Sequence, residues 1–369
     1  MDASMKTYIK PACCALLAPL AYAMQRFAFA HPALTERVYT AGVYPVLAQS
    51  ISWITGLLPF SLAEFICVLA PLWIPALLYT FYRRARRSGA KKNAAALSAA
   101  LNAVGVAACG YFAFMLLCGF NYARMPYASI AGYDVSAPTT QELQAVCQLL
   151  TDEANALRQT LPEDENGVFS LSASLRQLAA GTNALYQTAA DQAPWLGGSY
   201  GAPKLVLLSP AWAYTQITGM YFPFTVEANI NTVNAPFMFA ATMAHEAAHQ
   251  RGFMREDEAN FIAFYVCYCA DDPQIRYSGV MHALIHATNQ LYSDNFEAYK
   301  RIRSQFSDGV NRDLAANNAL WDQYEGQTAQ IAEQANDAYL HVNNQTDGVQ
   351  SYGRMVDLLI GWYRAQPHF

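Results

Sequence analysis

His245, Glu246 and His249 spell H-E-x-x-H within the run FMFAATMAHEAAHQRGFMREDEANFIA, residues 237–263. On a helix, residues four apart share a face, so the two imidazoles can meet one ion about a turn apart. Two neutral imidazoles suit Zn2+, and a catalytic zinc takes three protein ligands while keeping one position open for water. Glu246 stands beside the first imidazole, where its carboxylate can accept a proton from that water as it attacks a carbonyl. The third ligand has to arrive from another direction, so the helix must stop. Gly252, three residues beyond His249, is the expected C-terminal stop.

A second apolar helical run is expected from Arg255 to Ala270. Glu256 and Asn260 share a face of it; one could ligate zinc while the other hydrogen-bonds a ligating histidine. Glu258 is rotated off that face and is the alternative third ligand. A metzincin-like site would need a third histidine where this chain has Arg255, which excludes that variant. H-E-x-x-H also arises by chance on helices; what sets this one apart is the apolar approach through Phe237, Phe239 and Met243, followed by the glycine stop. His282 and His286 are also four apart, but with no acid converging on them in sequence they read as buried or surface histidines.

The run ITGMYFPFTVEANINTVNAPFMFAATMAHEAAHQRGFMREDEANFIAF, with the later NDAYLHVNNQTDGVQSYGRMVDLLIGWY, resembles the bacterial membrane family called domain of unknown function 3810. That family is grouped with H-E-x-x-H zinc metallopeptidases, and Glu-x-x-Ala-Asn at 256–260 is similar to the glutamate helix of gluzincins. The resemblance implies Glu256 as the third ligand and Asn260 behind it. Gluzincins often carry Asp where this chain has Asn260. Tyr352 and Arg354, in the family-like block GVQSYGRMVD, are candidate donors to a developing oxyanion.

Composition sets the surroundings of such a site. Of 369 residues, 54% are hydrophobic and 14% charged, too apolar for an ordinary soluble protein. The excess is concentrated in residues 1–120, where transmembrane helices are expected at about 11–30, 62–82 and 94–118. The first could instead be a signal peptide cut near Ala28-Phe-Ala30, although Arg26 interrupts the approach to that site. Arg83, Arg84, Arg86, Arg87, Lys91 and Lys92 make the loop between the second and third spans cytoplasmic. The N-terminus is then cytoplasmic, and residues 121–369 form an extracytoplasmic domain of a multi-pass cell-membrane protein. Residues 31–61, with Tyr39, Tyr44, Trp53 and Phe60, read as an interfacial segment on the outer surface. Cys13, Cys14, Cys67, Cys109 and Cys118 lie in the apolar runs; Cys147, Cys267 and Cys269 read as packing rather than disulfides.

The expected fold class is mostly α (α+β): three transmembrane helices, then a gluzincin-like, mainly helical domain with a small β-sheet. Helices are expected from a Thr139/Glu142 capping box to about Thr160, and over 170–192, 278–306, 310–324, 328–343 and 349–366. Strands are expected at 204–208 and within 221–232, with Val226–Asn231 as an edge strand that pairs with substrate backbone. The apolar runs flanking the motif are too short to span a bilayer, so the site should lie outside it. No dinucleotide or phosphate-binding glycine motif and no basic aromatic surface points to nucleic acid. The function expected is zinc-dependent hydrolysis of peptide or protein substrates, with the lipid bilayer as the other partner. The alternative is a non-catalytic sensor or scaffold that binds peptides or cell-wall fragments, against which Glu246 argues, since a binder needs no base beside the water.

Overall fold

The computed structural model describes residues 10–87, 91–343 and 352–366. It is mostly helical with a small three-stranded sheet, and it divides into two compact units. One unit takes in the chain as far as Leu47, then Leu62–Arg124 and Pro223–Thr225. The other takes in Ala48–Ser61, Met125–Phe222 and the chain from Val226 onward.

Among the described residues, two helices of the first unit are long and apolar enough to cross a membrane, α1 (Lys10–Ala30) and α5 (Lys92–Leu117); between them in the chain come α2 (Tyr44–Gly56), whose residues from Ala48 on belong to the other unit, α3 (Leu62–Val68) and α4 (Ala70–Arg87). The span expected at 62–82 is broken into α3 and α4, which meet at a bend of 66°. Pro71 explains the break. It has no N–H to give the carbonyl four residues back, its ring crowds the preceding turn, and the ladder restarts at Leu69, whose carbonyl accepts the N–H of Trp73 at 3.0 Å. α1 and α5 pack closely where α5 carries a glycine: a Cβ on Gly105 would lie 3.2 Å from the Pro11 carbonyl oxygen.

In the second unit, the expected capping box forms at the start of α6 (Thr140–Arg158), and Ser174 with Gln177 forms another at α7 (Leu175–Ala190). The sheet order is β1-β3-β2, with β1 (Lys204–Leu205) parallel and β2 (Gly219–Phe222) antiparallel to β3 (Glu227–Ile230). The segment expected to be the edge strand is therefore the central one. β3 is buried at every position, because Ala228 and Ile230 pack into the unit while the Glu227 and Asn229 side chains are also enclosed. The edge beside the H-E-x-x-H helix is β2. The Asn231 N–H donates to the Thr218 carbonyl, so in the antiparallel alternation Gly219 and Tyr221 turn their backbone groups away from β3.

Next come α8 (Phe239–Gln250), α9 (Glu256–Tyr268) and α10 (Pro273–Asp294), packed against one another, with α10 also against α6, around one apolar core. The helix expected over 278–306 is two: Asn295 ends α10 and caps α11 (Phe296–Arg303) by accepting the Ala298 N–H at 3.0 Å. α12 (Asp308–Asp322), α13 (Gln327–Val342) and α14 (Tyr352–Arg364) follow. All the cysteines named above are free thiols.

Candidate metal centre

The end of α8 and the start of α9 build the site through one turn. Gly252 adopts φ +82°, a left-handed conformation that costs other residues the clash of a Cβ. It lets the Phe253 N–H reach the Ala248 carbonyl at 3.1 Å and its own N–H reach the His249 carbonyl at 3.0 Å, a Schellman stop. The same turn aims the Phe253 carbonyl at His249, whose Nδ1 lies 2.7 Å from it. With Nδ1 as the donor, the Nε2 lone pair of His249 is left for a ligand. Arg251 closes the helix end from within: buried, it packs over Tyr186 and Tyr200 and donates to the carbonyls of Leu196 and Ala247 and to Asn183 Oδ1.

Three side chains converge here. His245 Nε2 and His249 Nε2 face each other at 3.2 Å, Glu256 Oε2 lies 3.2 Å from His245 Nε2, and Glu256 Oε1 lies 3.7 Å from His249 Nε2. Metal–ligand bonds of 2.0–2.2 Å at tetrahedral angles put ligand atoms about 3.3–3.5 Å apart. The donor set, two imidazoles and one carboxylate, and its spacing fit a zinc-like ion, so these residues could hold a metal. Asn260, one turn along α9 from Glu256, stands close to His245 and favours its charged form.

The electrostatics favour a cation in this spot. Burial alone would keep His245 neutral, but the hydrogen bond and charge of Glu256 outweigh it and hold the imidazole up at about 9. Burial pulls His249 down to about 4 against the attraction of Glu256. Glu256 is itself held below the usual carboxylate range: burial would raise it, and the two imidazoles more than offset that. A proton on His245 and a metal ion would thus compete for the same charge.

Glu246 sits beside this group in a slot made by the edge strand. Burial lifts its carboxyl to about 8, with the charge of His245 opposing, that of Glu256 adding, and a Tyr221 N–H hydrogen bond opposing. Gly219, the first residue of β2, makes the slot possible, because a Cβ there would lie 2.5 Å from Glu246 Oε1. Sequence reasoning missed Gly219 and Tyr221; the available signal was a glycine opening a short strand just ahead of the motif. The Tyr221 ring lies 6.1 Å from that of His249.

The remaining expected residues divide. Glu258 is turned to other partners, accepting the Tyr127 N–H at 2.7 Å and pairing with Arg255 at 2.6 Å. Arg354 is exposed, and its charge acts on Asp257 and Asp357. The Tyr352 side chain lies outside the described residues. His282, expected to be a buried or surface histidine, is buried close to the Asn260 backbone behind the centre, and its ring stands 4.7 Å from that of His286.

No curated protein and no solved structure matches the chain. One family does, described as Protein of unknown function (DUF3810), and it matches residues 39–360, most of the 369. The chain therefore belongs to the DUF3810 family.

Proposed function

We propose that this protein is a membrane-anchored zinc peptidase that hydrolyses peptide or protein substrates outside the cytoplasm. The observation that carries the reading is the convergence of His245, His249 and Glu256 with tetrahedral spacing, next to a buried carboxylate that is not part of the set. Zinc bound there would supply Lewis acidity toward water and a substrate carbonyl. His249 is oriented for it by the Phe253 carbonyl and His245 by Asn260. Glu246 accepts the proton of the attacking water and returns it to the leaving amine, held in place by the Tyr221 N–H. β2, the sheet edge whose Gly219 and Tyr221 backbone groups face Glu246, is the strand on which extended substrate backbone would lie.

Metal analysis and peptide hydrolysis on purified full-length variants test this. Wild type should carry about one zinc per chain. Glu246→Gln should keep the metal and lose nearly all activity, because an amide is no base. His249→Ala should lose both, and Glu256→Gln should weaken metal binding while Glu258→Gln does not. Undiminished zinc in His249→Ala would sink the site assignment, and full zinc with no hydrolysis in a broad peptide screen would favour a peptide-binding sensor.

Placement outside the cytoplasm rests on the basic run between α4 and α5, which should stay inside. Reporters fused within that loop and at the C-terminus should report opposite sides, the loop being cytoplasmic. A cytoplasmic C-terminus would overturn the localisation and with it the substrate class.

A further inference from the structure

Ala48–Ser61, AQSISWITGLLPFS, belongs to the metal-bearing unit and contains no Asp, Glu, Lys or Arg. Except for exposed Ser50, its polar side chains face into that unit. Gln49 Oε1 accepts the Ser199 N–H at 2.8 Å, Ser52 Oγ accepts the Gly201 N–H at 2.7 Å, and Ser61 Oγ donates to Asn229 Oδ1 at 2.6 Å. The Lys204 ammonium donates to the Leu58 carbonyl. Its large apolar groups face out: Trp53 is 68%, Ile54 60% and Leu57 68% exposed. Just after β1, which Lys204 ties to this segment, Leu207 is 67% and Leu208 50% exposed. A helix washed by water shows the reverse arrangement, apolar inward and polar outward.

We propose that this face, Trp53, Ile54 and Leu57 with Leu207 and Leu208, is a lipid-docking surface that seats the metal-bearing unit on the bilayer. The chain argues for lipid over a protein partner. The segment runs directly into the apolar helices α3 and α4 at one end, and α1, long and apolar enough to span, precedes it at the other. It carries no charge for a partner to complement, and its tryptophan is the side chain most at home in the headgroup zone. An exposed apolar patch of this kind rimmed by polar contacts marks an interaction site.

The docking also locates the centre. Gln250, which directly follows His249, donates from Nε2 to Ser52 Oγ at 3.4 Å, on the inward side of the same segment. A helix is about 10–12 Å across, so the end of α8 stands about one helix diameter from the lipid. If the peptidase reading holds, on which this consequence rests, the substrates are chain segments that lie on the membrane or have just emerged from it.

The test is photocrosslinking of the full-length protein in phosphatidylcholine proteoliposomes, with p-benzoylphenylalanine introduced at position 57, 207 or, as a control at exposed Asp152 of α6, 152. Mass spectrometry should find lipid adducts at 57 and 207 and none at 152. A crosslink between two copies at 57 and 207 would make the face a dimer interface and overturn the proposal, as would loss of lipid adducts at both positions. Neither result touches zinc content, so the docking surface and the peptidase reading fail separately.

Discussion

At the residue scale, the position of Glu246 depends on a side chain that is absent. Glu246 is packed against the bare Cα of Gly219, and any Cβ there would intrude to 2.5 Å of its carboxylate oxygen. Gly219→Ala should therefore leave the metal content of the purified protein unchanged, since no ligand touches the new methyl, yet push the carboxylate about 1 Å and cut the hydrolysis rate by about 100-fold. An activity equal to wild type would mean that Glu246 does not work from the position seen here. Glu256 and Glu258 make the complementary point. Two residues apart on one helix, one carboxylate meets the imidazoles and the other caps the Tyr127 N–H and pairs with Arg255, so their roles follow from the direction each side chain takes.

Among the elements, α6 shows how a cap can be read as a pH dependence. Glu142 is held down at about 2 from an ordinary 4.5, first by hydrogen bonds from Arg364 of α14, then by the N–H and hydroxyl of Thr139. A carboxyl whose pKa is lower folded than unfolded adds stability that is complete above the unfolded value and is lost as pH falls through the folded one. The difference in melting temperature between wild type and Glu142→Gln should therefore be steady above about 4.5 and close as the pH is taken down to about 2. A gap that persists unchanged at the acid end would show that Arg364 and Thr139 do not select the charged form. The capping box itself was legible from Thr139 and Glu142 alone, because it spans one turn; its partner Arg364 was not, because it lies on the last helix.

For the second unit as a whole, the candidate centre needs a rigid frame, and Asp313 is one of its fasteners. Fully buried on α12, it accepts Arg158 Nε of α6 at 2.7 Å, the Phe169 N–H at 2.8 Å and the Tyr277 hydroxyl of α10 at 2.6 Å. Asp313→Ala leaves the Arg158 guanidinium buried without its main counter-charge, which should cost about 3–5 kcal/mol in denaturant unfolding. The double variant Arg158→Leu, Asp313→Leu should recover part of that, because no uncompensated charge remains. A single-variant loss below about 1 kcal/mol would show the pair to be peripheral.

Where a feature depends on residues within a turn or two, the sequence alone was enough. It marked H-E-x-x-H, the Gly252 stop, the shared face of Glu256 and Asn260, the Thr139 capping box and the two unbroken apolar helices, all set by helical period, glycine conformation or length. It misjudged features that depend on what lies across the fold. Val226–Asn231, expected as an edge, became the central strand because β1 and β2 flank it. Gly219 under Glu246, His282 behind Asn260, and which residues of the expected interfacial segment turn outward were decided only in three dimensions. Each is set by which distant segment packs there, and local periodicity carries no record of that.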